Sequence, residues 1–165
     1  MTVALNPIRE LEADHRQVRD ILLDLIDAGN RGDGTKALEL LLTLDKLGGP
    51  HFRFEEESLY PALVKYFGAE YYEYLLSAHD RIIRSAKVLA QILGDSQIED
   101  GDAEKLTAIV RNEILPHPIE CDGLSLLAEK LNDDEVQRIA DNLEASRQAD
   151  VPLLQWADEI RERKV

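Results

Sequence analysis

The chain reads as an all-α protein: an up-down-up-down four-helix bundle with an additional C-terminal helix. Three observations carry that reading. Apolar residues recur at three- and four-residue spacing over long windows, the mark of one buried helix face. The composition is leucine-rich, and aromatics are only 5%, which suits helices better than sheets. Short polar loops separate the periodic stretches, so consecutive helices become antiparallel neighbours. At 165 residues the chain can bury a core of its own.

The first helix opens at Asn6-Pro7, an N-cap followed by proline at the first helical position. Ile8, Leu11, His15, Val18, Leu22 and Leu25 line its face, and Gly29 to Gly34 (GNRGDG) is turn chemistry throughout. A second helix from Thr35 aligns Leu40, Leu44, Leu47 and His51. Gly48-Gly49-Pro50 predicts a kink or restart there, because proline cannot donate to the carbonyl four residues back.

A basic-aromatic segment, Lys65 to Gly68, leads to a third helix over 69–93, with Tyr72, Leu75, His79, Ile82, Ala86, Leu89 and Leu93 in phase. Asp102 caps a fourth, with Leu106, Val110, Glu113 and His117 in phase and the stripe continuing to Leu131. Pro116 and Pro118 bracket His117 and predict a second kink. Asn132 to Glu135 resembles a capping box, Pro152 interrupts the helix it opens, and Trp156 reads as a packing anchor. The expected division is a metal-binding bundle over 1–131 and a helical extension over 132–165, lying across the bundle and outside the site.

Composition excludes several function classes. The net charge of −14 comes with no Lys/Arg cluster, which argues against nucleic acid. No apolar run reaches the ~18 residues of a membrane span. The opening MTVALNPIRE has neither a basic nor an apolar signal region and does not read as a secretion signal. The lone Cys121 excludes an intramolecular disulfide and fits a reducing, cytoplasmic compartment. No nucleophile motif or phosphate-binding glycine loop marks a catalytic centre, so the expectation is a binding protein rather than an enzyme.

The chemistry concentrates in His51-Phe52-Arg53-Phe54-Glu55-Glu56-Glu57-Ser58-Leu59-Tyr60-Pro61. His51 and Glu55 lie one turn apart on one helix face, and imidazole with carboxylate suits iron, zinc or manganese. Arg53, Glu56 and Glu57 lie more toward solvent. A carboxylate facing the core without a partner costs several kcal/mol or takes up a proton, and a cation supplies the partner. One such pair arises easily by chance, and one core histidine is commonly a hydrogen-bonded packing residue. Here, however, the four histidines fall one on each of four apolar stripes: His15, His51, His79 and His117. Bundle cores are where metal sites are built from facing side chains, so the pattern argues for a cation at the bundle centre. A short echo, Pro50-His51 with Glu55-Glu56 against Pro116-His117 with Cys121-Asp122, puts a second ligand one turn after His117.

These residues resemble the hemerythrin family, the hemerythrin/HHE cation-binding domain, over about residues 6–131. The most specific piece is HFRFEEESLYP at 51–61, joined by His15 in LEADHRQV and by His79-Asp80. The resemblance implies two iron ions, oxo- or hydroxo-bridged and carboxylate-bridged. His15 and His51 would serve one iron, His79 and His117 the other, with Glu55 and Asp122 bridging. It also implies dioxygen or another small diatomic as the partner, for sensing, storage or detoxification. At a strict helical angle Cys121 faces inward better than Asp122, since four residues advance ~40° beyond a turn and five advance ~140°. Asp122 is nonetheless the expected bridge, because hard oxygen suits two ferric ions better than one thiolate.

The chain departs from oxygen-carrying members at Leu75, where they have a histidine one turn before the residue matching His79. Reversible oxygen carriage is the property this puts in question. A ferritin-like di-iron reading is weak, because Glu12-x-x-His15 is the sole ExxH. A zinc hydrolase would need three protein ligands beside a substrate cleft that nothing here marks. The alternative from another class is a helical interaction module whose metal site is degenerate or vacant, which Leu75 and Cys121 would support.

Overall fold

The computed structural model describes residues 4–165 and contains no strand among them. Met1 to Val3, the start of the segment read for a secretion signal, lie outside the described residues. Helix α1 spans Pro7–Asn30 and α2 Gly34–Phe54; a π-helical turn over Glu55–Leu59 leads into α3, Tyr60–Leu93. The fourth rod is segmented: α4 Asp102–Ile109, a π turn Val110–Ile114, then α5 Pro116–Asp122. A short α6 (Ser125–Ala128) follows, and α7 (Asp133–Ala149) and α8 (Leu153–Glu159) form the extension. No helix of the described residues is long and apolar enough to cross a membrane.

Local chemistry sets the helix ends. Asn6 Oδ1 accepts from the N–H groups of Ile8 and Arg9, and Asp33 Oδ1 accepts from that of Lys36. Asn132 and Glu135 form the expected capping box. The fourth helix is capped at Gly101, in the left-handed region at φ 88°, rather than at Asp102. Within α3, Gly68 at φ 81° and ψ 166° separates Tyr60–Phe67, which continues the second rod, from the third rod beginning at Ala69. A side chain there would be strained, so this turn depends on glycine.

Two sequence expectations change. Helix α2 runs unbroken through Pro50, and Gly48 and Gly49 serve close packing instead of a break. A Cβ on Gly49 would come within 1.8 Å of the Val151 carbonyl, so the link between α7 and α8 lies directly on α2. The fourth helix does not continue to Leu131. Pro116 and Pro118 supply no N–H, the Leu115 N–H bonds the Val110 carbonyl five residues back at 2.8 Å, and the phase shifts. Glu113, expected inside, is exposed, and Ile114 is buried.

Helix α1 packs on α2, α4 and α5, while α3 packs on α2 and the fourth rod. Two apolar clusters result. One gathers Leu22, Leu25, Ile83, Leu89, Leu106 and Trp156; the other Leu11, Phe54, Leu59, Leu63, Leu75 and Leu143. Histidines and carboxylates lie where the clusters meet: Phe52 of the first stacks on His79, while Tyr60 and Cys121 of the second reach Glu55.

Candidate metal centre

Glu55 is the hub. It is fully buried, and its two oxygens face opposite halves of the centre. Oε1 lies 3.1 Å from His51 Nε2 and 3.5 Å from His15 Nε2; Oε2 lies 3.0 Å from His79 Nε2 and 3.8 Å from His117 Nε2. Each histidine comes from a different rod, and all four are at most 6% exposed. The structure therefore brings together five of the six residues singled out in the sequence.

Asp122, the expected second bridge, stands elsewhere. Its Oδ1 accepts from His15 Nδ1 at 3.0 Å, and its side chain is 44% exposed. Cys121 takes the inward position, fully buried, with Sγ donating to Glu55 Oε1 at 3.0 Å. Helix α5 is regular between His117 and Cys121, so the residue one turn on keeps the same face and the next one swings outward.

Sequence reasoning missed Tyr60. Its hydroxyl donates to Glu55 Oε2 at 3.1 Å and lies 3.1 Å from His79 Nε2 and 3.5 Å from Cys121 Sγ. In a regular helix, five residues would leave Tyr60 ~140° off the Glu55 face. The π turn closes that gap, because the Tyr60 N–H bonds the Glu55 carbonyl five residues back. Glu56, expected toward solvent, turns inward on the same turn and accepts from His79 Nδ1 at 2.7 Å.

The outer nitrogens carry the second missed feature. His15 Nδ1 faces Asp122, His51 Nδ1 faces Asp14 at 3.1 Å, and His79 Nδ1 faces Glu56. An ionised carboxylate only accepts, so each Nδ1 carries a proton and each Nε2 is turned toward Glu55. Such carboxylate–histidine pairs orient metal-ligating imidazoles and make them more basic. Two arginines of the extension hold two of those carboxylates. Arg147 Nη2 donates to Asp14 at 3.2 Å, while Arg161 donates to Glu56 at 2.7 and 3.0 Å and to Asp80 at 2.7 Å. The C-terminal segment thus reaches the site it was expected to leave alone.

Burial and charge pull the titrations apart. Burial lowers the His51 pKa, but Glu55 and Asp14 outweigh it and raise the value to about 10. Burial drives His117 down to about 4. For Glu55 burial acts upward, yet His51, His117 and His15 hold the carboxyl well below its ordinary range. Burial, with Glu55 beside both, pushes the Cys121 thiol and Tyr60 phenol up.

The residues fit a cation. His15 Nε2 is buried without a hydrogen-bond partner, and His79 Nε2 and His117 Nε2 lie 3.0 Å apart, where only one can carry a proton. Two groups of donors converge within 4.8 Å: His15, Glu55 and Cys121, and Glu55, His79 and His117. No curated protein and no solved structure matches the chain. Residues 6–117, more than half of its length, match the Hemerythrin HHE cation binding domain, and the chain therefore belongs to the hemerythrin family.

Proposed function

We propose that the protein binds two iron ions around Glu55 and meets dioxygen or another small diatomic there, for sensing, storage or detoxification. The observation that carries this reading is the division of the histidines by Glu55: His15 and His51 face one oxygen, His79 and His117 the other. That is the pairing a carboxylate-bridged pair of metals requires. In this reading His15, His51, Glu55, His79 and His117 are ligands, and Asp122, first expected as a bridge, orients His15 through Nδ1. Among the described residues, 4–131 then form the metal-binding bundle, and 132–165 pack on it.

Iron held there would supply redox chemistry and an affinity for diatomic ligands that no side chain has. The chain supplies orientation and exclusion of water. An apolar cavity of about 110 Å³, bordered by Leu38, Leu42, Phe52, Leu89 and Leu154, reaches His15, His51 and His117. Such a lining admits a small neutral molecule and disfavours ions. Leu75, nearly fully buried in the cluster with Tyr60 and Cys121, leaves His79 without a neighbouring imidazole one turn earlier.

The second reading is a helical interaction module with a vacant site. In its favour, Tyr60 and Cys121 satisfy Glu55 without any cation. Metal analysis of purified protein, with visible absorption before and after exposure to oxygen or nitric oxide, separates the two. Two irons per chain and an oxygen-sensitive visible band support the first reading; metal-free protein that takes up no added iron supports the second.

A further inference from the structure

We propose that the two ends of Glu55 serve chemically different cation positions: a sulfur-containing one at His15, Glu55 Oε1 and Cys121, and a nitrogen-oxygen one at Glu55 Oε2, His79, His117 and Tyr60. The proposal rests on the metal-binding reading above and deepens it.

Two independent observations point to a cation beside sulfur at the first position. Cys121 is fully buried with Sγ 3.0 Å from Glu55 Oε1, so its thiol faces polar atoms instead of only filling the apolar core. His15 Nε2, in the same group of donors, is buried and has no hydrogen-bond partner. Its Nδ1 is committed to Asp122, so the free valence aims at the space beside Glu55 and Cys121. His51 Nε2 faces the same carboxylate oxygen.

The second position differs by a phenol. Tyr60 Oη lies 3.1 Å from both Glu55 Oε2 and His79 Nε2, and the π turn after Glu55 is what brings it there. A tyrosine used only for packing would not need its hydroxyl among three potential ligand groups.

The donor sets select different cations. Thiolate with imidazole suits zinc, cobalt(II) or ferrous iron, whereas phenolate with carboxylate and imidazole suits ferric iron. Binding is a proton exchange: a cation at the first position displaces the Cys121 thiol proton, and one at the second displaces the Tyr60 phenol proton, both to solvent. No residue changes oxidation state. Offered zinc and ferric iron together, the chain is expected to take one of each.

The test loads the metal-free full chain with cobalt(II) chloride and records the cobalt X-ray absorption edge and the near-ultraviolet spectrum. The expected result is a sulfur scatterer with a sulfur-to-cobalt charge-transfer band; Cys121→Ser loses both and keeps the cation at the other position. In ferric-loaded protein a visible phenolate band is expected, absent from Tyr60→Phe. Two bound cobalt ions with only nitrogen and oxygen neighbours would overturn the proposal while leaving metal binding intact. Failure to take up any cobalt or iron would overturn both readings. If Cys121→Ser does not fold, the edge spectrum of the unaltered chain still decides.

Discussion

Around Glu55 Oε2, His79 is held on every side. Phe52 stacks on its ring at 3.8 Å, Glu56 takes its Nδ1 proton, and Arg161, only 3% exposed, clamps Glu56 and Asp80 together. Around Oε1 the supports are looser. Asp122 behind His15 is 44% exposed, and Asp14 behind His51 is held by Arg147, which is 35% exposed. His79 is braced by charges removed from water, and His15 and His51 by charges water can screen. The difference says which half keeps its geometry without a cation. It also says which depends more on the cation to order it.

Removing the shared hub should have the largest effect. Glu55→Ala takes the carboxylate from both halves at once, and metal content measured by elemental analysis should fall to near zero. Retention of full metal by this variant would sink the assignment of the centre.

Chelation comes next. A cation that binds only the folded bundle adds its binding free energy to stability, so stripping it should lower Tm by many degrees. Hydrogen exchange should then rise more around His15 and His51 than around His79. Equal loosening of the two halves would break the comparison.

The arginines grade the braces directly. Arg161→Ala takes the buried guanidinium from Glu56, which keeps His79, and leaves Asp80 to Arg163, a loss toward the lower end of the ~3–5 kcal/mol of a broken buried pair. Metal affinity should drop about 10–100-fold, as for lost partners of metal-ligating histidines. Arg147→Ala should cost only ~0–1 kcal/mol, and its effect should shrink further with added salt. Comparable losses in the two variants, from denaturant titrations of metal-free protein, would contradict the ranking.

The smallest effect is on pH dependence in the metal-free chain. The raised His51 pKa contributes stability that is fully present below its ordinary 6.5 and is lost as pH rises through about 10. The depressed His117 pKa contributes stability present above 6.5 and lost as pH falls through about 4. Metal-free Tm should therefore peak near neutral pH and fall on both sides. Metal-loaded protein, whose Nε2 atoms hold no proton, should lack the alkaline decline.

Periodicity and spacing alone determined much of this protein. Four apolar stripes, the Asn6 and Asn132 caps and the placement of one histidine per stripe were legible because they are repeats of a regular helix. From those, the bundle and a buried His/Glu cluster followed. Departures from regular helix geometry were not legible in the spacing. The π turn over Glu55–Leu59 moved Tyr60 and Glu56 onto the inner face, and the one over Val110–Ile114 turned Glu113 out. Helical spacing in fact favoured Cys121 over Asp122, and a preference for hard ligands overrode it; the regular α5 kept Cys121 inside. Arg147 and Arg161 were beyond reach, since their partners lie 133 and 105 residues away in the chain. Contacts of that separation leave no trace in local pattern, because packing of the whole chain decides which surface charges meet.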